Sequence, residues 1–322
     1  MMWLVVAVAL AFNFTNGFHD TANAVATSVS TRAMGPRTAV LIAALMNLAG
    51  AFASTAVAKT VGSGLVSTGL VTQRLMLAAL LGAIVWNLLT WTLGLPSSSS
   101  HALVGGLIGA AVVSGGGTGA VEWHGIWTKV VFPGLLSPLT GFALAALVML
   151  GLLWAFRTVR PAPLNRAFRQ LQVLSGSFVA FAHGTNDAQK TMGVIALSLT
   201  VGHQLDHFYI PWYVQLSSAL VMGAGTYVGG WRIMRTVGNR IFNLEPPQGF
   251  AAQATSSVVL WWTARQGFPI STTHVITGSV MGGGAITRLS AVRWGVAYNI
   301  LLAWLFTMPA AAAMAALCYL VV

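Results

Sequence analysis

The pattern that decides the fold reads Pro96-Ser97-Ser98-Ser99-Ser100-His101 in the first half of the chain, and its echo reads Pro269-Ile270-Ser271-Thr272-Thr273-His274 in the second. A second pattern, Phe14-Thr15-Asn16-Gly17-Phe18-His19-Asp20, likewise returns as Phe181-Ala182-His183-Gly184-Thr185-Asn186-Asp187. Both patterns place Gly, Pro, hydroxyl or Asp residues inside apolar stretches, and they keep the same order in each half. An ordered repeat of this kind indicates an internal duplication with chain breaks in matching positions.

The composition indicates an all-α membrane protein that crosses the bilayer several times. Hydrophobic residues make up 56% of the 322 residues and charged residues only 7%, whereas a soluble domain carries roughly 25% charged residues. The regular alternation of a membrane barrel is absent. The net charge of +11 fits loops on the cytoplasmic side rather than nucleic-acid binding. The single Cys318 excludes an intrachain disulfide and a cysteine-based metal site.

Basic residues set the predicted orientation. Segments 73–115 and 251–287 are treated as hairpins, and the long segments 1–31 and 171–200, each with a Gly/Asp motif, are expected to be tilted or interrupted. With the N-terminus outside, eleven Lys and Arg residues fall inside and three outside, as the positive-inside rule requires. Those inside are Arg32, Arg37, Arg157, Arg160, Arg166, Arg169, Arg232, Arg235, Arg240, Arg288 and Arg293, and those outside are Lys59, Arg74 and Lys129.

This orientation makes the two halves inverted repeats, with both termini outside the cell membrane. We predict a first repeat at residues 1–156, a basic cytoplasmic linker at 157–170 and a second repeat at 171–322. Inverted repeats are the architecture by which many secondary transporters open one site alternately to each side. A chain in which every segment crosses fully has the same sidedness, so the charges do not decide whether the hairpins are re-entrant.

Asp20 and Asp187 are acidic residues inside apolar segments, at matching repeat positions. A carboxylate at the centre of a membrane helix costs about 2.5–3.5 kcal/mol, so a pair of them predicts cation ligands, for sodium or for the metal of a metal–phosphate complex, or proton carriers. The alternative is that each Asp lies near a helix end and is solvated. Oxygen donors that suit hard cations surround the pair, or they bond between helices. These are Asn16, Asn23, Thr185 and Asn186.

Lys190 stands where the first repeat has Asn23. An i, i+3 spacing on a helix would place Lys190 beside Asp187. It would then neutralise Asp187, contact an anionic substrate, or replace a metal ion. The alternative is a side chain that extends to the membrane interface.

The hydroxyl runs predict two helix starts that bind an anion. Ser and Thr are good N-caps, and the free N–H groups of a helix start attract negative charge. Two such starts, facing each other across the repeat axis, would surround a tetrahedral oxyanion. Ordinary capping in a polar loop is the alternative. The expected substrate-binding residues are Ser98, Ser99, Ser100, Ser271, Thr272, Thr273 and Lys190.

His101 and His274 are also paired by the repeat. They would be proton-linked or donate to the anion, or they would be packed and hydrogen-bonded, which is more common. The sequence has no zinc-spaced cluster and no nucleotide fingerprint. It also has no nucleophile–base–orienter set, so we do not expect an enzyme.

These residues resemble the inorganic phosphate transporter (PiT) family. The family repeats a Gly-x-Asn-Asp segment in each half, and Gly184-Thr185-Asn186-Asp187 fits this pattern. The first copy has His19 in place of the Asn, a variant that resembles the bacterial low-affinity phosphate permeases. The resemblance implies an electrochemically driven phosphate symporter that forms a homodimer in the membrane lipid. It places Asp20, Asn23, Asn186 and Asp187 in the coupling-ion and substrate centre, with phosphate on the hydroxyl runs.

The preferred coupling ion is inferred from the charge of Lys190. Sodium-coupled members of the family tend to keep a neutral Asn in both copies, and a fixed ammonium would replace one sodium. We therefore favour protons, with phosphate carried as a neutral complex with a divalent metal such as Mg²⁺, and sodium second. No bound cofactor is expected. The alternatives are a permease for another tetrahedral oxyanion such as sulfate, and a passive anion channel.

Overall fold

The computed structural model of the chain describes residues 1–230, 233–234, 236–237, 244–287 and 292–322. These residues form helices and connecting turns, with one isolated bridge between Val66 and Val121. Of the basic residues used to orient the chain, Arg232, Arg235, Arg240 and Arg288 lie outside the described residues. The helices are α1 (Met2–Ser30), α2 (Pro36–Gly50), α3 (Ala56–Ser63), α4 (Gln73–Leu93), α5 (Ser99–Ala111), α6 (Trp123–Ile126), α7 (Phe132–Ala155), α8 (Pro161–Val201), α9 (Trp212–Val228), α10 (Pro246–Arg265), α11 (Thr272–Thr287) and α12 (Trp294–Val321).

Four stretches are long and apolar enough to cross a membrane. They are Met2–Ser30, Gln73–Leu93, Trp123–Ala155 and Trp294–Val321. Helix α8 has 41 residues and would extend for about 60 Å, which is twice the roughly 30 Å of a hydrocarbon core. Its first ten residues are mostly exposed. The predicted basic linker is therefore largely the first turns of α8, which Pro161 begins.

Segments 1–31 and 171–200, expected to be tilted or interrupted, are not interrupted, because α1 and α8 run through their Gly/Asp motifs as continuous helices. The glycines in the motifs permit close helix contact instead. A Cβ on Gly17 would lie 2.8 Å from the carbonyl oxygen of Met222 on α9, and a Cβ on Gly184 would overlap Asn47 on α2. The motif glycines therefore bring each central helix against the opposite half of the chain.

The chain breaks lie at the hairpin motifs, as predicted. After α4 the chain turns at Gly94, whose φ of 67° is the left-handed conformation that glycine adopts without strain. Helix α5 then starts at Ser99, and the hydroxyl of Ser98 accepts a hydrogen bond from the amide of His101 at 3.1 Å. Gly267 has a φ of 74° at the matching turn before α11. Helix α5 has 13 residues and its apolar helix continues to Gly115, a length of about 25 Å that is near the shortest needed to cross a bilayer.

Each half of the chain packs some of its helices against helices of the other half. Helix α12 packs on α4 and α5 of the first half, and α7 packs on α10 and α11 of the second. Likewise, α1 packs on α9 and α8 packs on α2. Each contact thus has a counterpart in the other half, as a two-fold axis would produce. This pattern is consistent with the predicted inverted repeats.

Candidate functional site

The two motif carboxylates meet in the middle of the molecule. Asp20 on α1 is 2% exposed and Asp187 on α8 is fully buried. A carboxylate oxygen of Asp20, a carboxylate oxygen of Asp187 and a ring nitrogen of His183 all lie within 4.8 Å of one another. The alternative of two solvated residues at helix ends is therefore wrong. Two carboxylates this close repel each other unless a cation or proton is shared between them.

Asp20 accepts hydrogen bonds from both hairpins. The hydroxyl of Ser99, on α5, lies 2.5 Å from its Oδ2, and the hydroxyl of Thr273, on α11, donates to Oδ1 over 3.4 Å. Asn23, one turn further along α1, donates to Oδ1 at 3.2 Å. His19 Nδ1 lies 2.9 Å from the same oxygen. Asp20 therefore joins its own helix to the starts of α5 and α11.

Asp187 has the more basic surroundings. Lys190 Nζ forms an ion pair with its Oδ1, as the i, i+3 spacing predicts. His183 Nε2 lies 3.2 Å from its Oδ2, and Asn16 Nδ2 donates to that oxygen over 3.4 Å. The ammonium is 1% exposed, so the alternative of a lysine reaching the membrane interface is wrong.

The residues three positions after each Asp reach across the repeat axis. Asn23 donates to the Thr273 hydroxyl at 2.8 Å, and Lys190 donates to the matching Ser100 hydroxyl. Lys190 also lies 3.4 Å from the carbonyl oxygen of Ile270, so three oxygens surround its Nζ. At the equivalent place, Asn23 Oδ1 has no hydrogen-bond partner in the described part of the chain.

The hydroxyl runs are buried at the converging starts of α5 and α11. Ser98 and Ser271 both cap their helices, since their oxygens accept from the amides of His101 and His274. The predicted capping is therefore confirmed for this pair. Ser100 donates to the Ile270 carbonyl oxygen at 3.1 Å, which ties the first hairpin to the second.

Other predicted residues have partners besides the two carboxylates. The Thr185 hydroxyl donates to the carbonyl oxygens of Gly50 and Phe181 at 2.9 Å each, and so contributes to helix packing. Asn186 donates to the Phe268 carbonyl oxygen at 3.2 Å. His101 and His274 contact each other edge to face, with ring centroids 4.9 Å apart.

The sequence analysis missed two residues of this cluster, His19 and His183. Aligning the repeats pairs His19 with Asn186 and His183 with Asn16, so each motif carries one His and one Asn in exchanged positions. That exchange was the available signal. A third missed residue, Asn47 on α2, meets His183 Nδ1 through its Oδ1 at 2.9 Å. A lone Asn in an apolar helix gives little indication of such a contact.

Two hairpins bring helix starts to a pair of buried carboxylates, an arrangement typical of membrane transporters that bind an anion. The model of the phosphate transporter family matches this chain over residues 16–166 and 156–315. The chain belongs to the phosphate transporter family, its transported substrate is phosphate, and it is a membrane protein without enzymatic activity.

Known relatives extend over nearly the whole chain. A probable low-affinity inorganic phosphate transporter of Mycobacterium tuberculosis is 48% identical over 99% of this chain and 77% of its own length. Proteins of the same description from Rhizobium meliloti and Bacillus subtilis are 47% and 42% identical, over 98% and 99% of this chain and 94% and 96% of their own lengths. A solved structure described as the sodium-dependent phosphate transporter is 26% identical, with a TM-score of 0.90 over 99% of this chain and 98% of that one.

Proposed function

We propose that this protein is a symporter that imports inorganic phosphate by alternating access, driven by a proton gradient. Phosphate binds between the starts of α5 and α11, on Ser98, Ser99, Ser100, Ser271, Thr272, Thr273 and Lys190. Asp20, Asn23, Asn186 and Asp187 form the coupling-ion centre, and Asn16 takes part through its contact with Asp187.

The choice of protons as the coupling ion depends on one observation, the position of Lys190 Nζ. Three oxygens, from Asp187, Ser100 and Ile270, surround this ammonium. Oxygens arranged in this way suit a hard cation, and here a tethered cation already occupies them. The second repeat therefore needs no mobile sodium at this place.

Charge balance supports cotransport of positive charge. Asp20, Asp187 and Lys190 together carry one net negative charge, and phosphate adds one or two more. A buried anion of that size is poorly stabilised in a medium of low dielectric constant. Protons on the carboxylates, or a divalent metal that arrives as a neutral metal–phosphate complex, would offset it. The ligand atoms of Asp20, Asp187 and His183 are close enough to share such a cation.

The test is uptake of radiolabelled phosphate into proteoliposomes under a proton gradient or a sodium gradient, each imposed separately and with or without Mg²⁺. We expect proton-driven uptake that Mg²⁺ stimulates. Uptake that requires sodium and ignores a proton gradient would contradict the proposal. Downhill flux that no gradient can concentrate would indicate a passive channel, and competition by sulfate but not arsenate would indicate another oxyanion.

Substituting Lys190 tests the same proposal from within the site. In Lys190→Asn the oxygens around the ammonium lose their tethered cation, and the second repeat regains the amide of the first. We expect phosphate uptake by this variant to become dependent on sodium. The matched control is Lys59→Asn, because Lys59 is an exposed lysine on α3, and its coupling should not change. A Lys190→Asn protein that remains proton-driven would contradict the assignment.

Sodium is the second candidate, and two observations favour it. The structurally similar transporter is described as sodium-dependent. Asn23 Oδ1 also lacks a hydrogen-bond partner among the described residues, next to the Asp20 carboxylate, and a carbonyl beside a carboxylate is a suitable ligand pair for sodium.

The remaining expectations are also proposals. We propose that the protein resides in the cell membrane as a homodimer, with both termini outside and α8 beginning in the cytoplasm. The eleven-to-three division of basic residues supports this orientation. The test is to introduce a cysteine at either terminus of the protein and to treat whole cells with a membrane-impermeant thiol label. Labelling of both cysteines would support this orientation.

A further inference from the structure

Trp304 connects the two hairpins, although it belongs to neither. It lies on α12 and is 9% exposed. Its indole Nε1 donates to the carbonyl oxygen of Pro96, in the turn of the first hairpin, at 3.0 Å. Its ring stacks on His274, in the first turns of α11, with centroids 3.9 Å apart and planes 26° from parallel. One side chain therefore contacts the breaks of both repeats.

A histidine contact completes the connection. His274 meets His101 of α5 edge to face, with centroids 4.9 Å apart. Pro96 immediately precedes the first hydroxyl run and His101 immediately follows it. The four serines between them are thus bracketed by two contacts, one to Trp304 directly and one to His274, on which Trp304 stacks.

At the matching position of the other half, the described residues have no equivalent of this tryptophan. Gly278 of α11 packs on Pro138 of α7, and the matching Gly105 of α5 packs on Met308 of α12. That correspondence pairs Trp304 with Gly134. A Cβ on Gly134 would lie 3.1 Å from His101 Nε2, so a larger side chain on this side would crowd the imidazole. A single indole therefore contacts both hairpins.

We propose that Trp304 is a positioning residue that holds the two hydroxyl runs in register for one phosphate ion. The proposal rests on the phosphate site proposed above. An anion site made of donors from two separate helix starts binds tightly only when the starts keep their relative position. Removing a contact that fixes this position should weaken phosphate binding more than it slows the conformational steps.

The experiment compares phosphate KM and maximal uptake rate in proteoliposomes for Trp304→Phe and Trp304→Leu. Phe keeps the ring on His274 but loses the hydrogen bond to Pro96, and we expect KM to rise about threefold to tenfold, the equivalent of one hydrogen bond. Leu loses both contacts and should raise KM further, by about the same factor again. The maximal rate should change little in either variant.

The matched control is Trp86→Phe. Trp86 of α4 also donates its indole N–H across to α12, to the Thr307 hydroxyl at 3.2 Å, and in the described part of the chain its indole has no hydrogen bond to either hydroxyl run. Its KM should stay unchanged. A merely structural role for Trp304 would lower the thermal stability and the amount of active protein at constant KM, and that result would overturn the proposal. If Trp304→Leu does not fold, Trp304→Phe alone decides.

A second pair of substitutions separates this proposal from the site on which it rests. The Ser99→Ala and Thr272→Val variants remove proposed phosphate donors directly. If they raise KM while both Trp304 variants leave it unchanged, Trp304 does not position the site. If Ser99→Ala and Thr272→Val leave KM unchanged, phosphate binds elsewhere, and the positioning role of Trp304 is refuted with the site.

Discussion

Lys190 and Asp187 form an ion pair without access to solvent, since they are 1% and 0% exposed. Removing one member of a buried pair leaves an uncompensated charge, which costs about 3–5 kcal/mol, whereas replacing both members by uncharged residues is often neutral. The same two residues therefore affect both stability and transport, and a double substitution can separate the two effects.

For Asp187→Asn we predict loss of coupled phosphate uptake together with a lower melting temperature, because Lys190 keeps its charge and loses its carboxylate. In Asp187→Asn combined with Lys190→Met, the melting temperature should recover while uptake stays absent. Thermal unfolding of the purified protein and uptake into proteoliposomes measure the two effects. Normal uptake by Asp187→Asn would contradict the role of this carboxylate.

Sequence reasoning predicted part of this residue network. The spacing of Asp187 and Lys190 predicted their contact because three residues make nearly one helical turn. The contact of Lys190 with Ser100, 90 residues away in the chain, could not be predicted, because no local spacing relates α8 to α5.

At the scale of the helices, close packing at small residues holds the hairpins. Gly278 of α11 faces the backbone carbonyl of Pro138 on α7 so closely that a Cβ would overlap it. Helices in lipid associate through close contacts of this kind. The length and the breaks of the hairpins were predictable from Pro and Gly, but the partner helix of each hairpin was not.

We predict that Gly278→Ala destabilises the protein by about 1–3 kcal/mol, the usual cost of overpacking, because α11 must move away from α7. The matched control is Gly151→Ala, also a glycine-to-alanine change, at an exposed position of α7 where a Cβ meets nothing within 4 Å. It should be neutral or gain up to about 1 kcal/mol of helix propensity. Melting temperatures in detergent compare the two, and equal values would contradict the packing argument.

In the whole molecule, side-chain hydrogen bonds join α8 to other segments on both sides of Asp187. On one side, Gln73 of α4 and Ser198 of α8 exchange two hydrogen bonds of 2.7 and 2.6 Å. On the other, Thr31 donates to Gln172 Oε1, and Gln172 Nε2 donates to the Pro246 carbonyl oxygen, both over 2.5 Å. Both clusters involve α8, on opposite sides of Asp187 along the helix.

The proposed alternating access requires helices on each side of the carboxylates to separate in turn. We predict that a short, reducible cross-linker between cysteines at Gln73 and Ser198 stops phosphate uptake, and that one between cysteines at Thr31 and Gln172 does so too. Cys318→Ala provides the background without other thiols. Reductant should restore uptake in both variants. A cross-linked protein that still transports would show that the linked helices need not separate there.

The sequence by itself determined the class of protein, the duplication, the hairpin breaks and the importance of the carboxylates. Composition and buried charge report on the membrane environment, and Pro and Gly act on the local backbone, so none of these signals depends on distant contacts. For α1 and α8 it left open whether the helix is tilted or interrupted, and the structure shows no interruption, since the motif glycines permit helix contact. Only the tertiary structure decided that Asp20 meets Asp187, that Lys190 lies among oxygens of three elements, and that Trp304 connects both hairpins. These contacts arise because helices of one half pack against helices of the other. Such packing depends on shape complementarity between segments that are distant in the sequence.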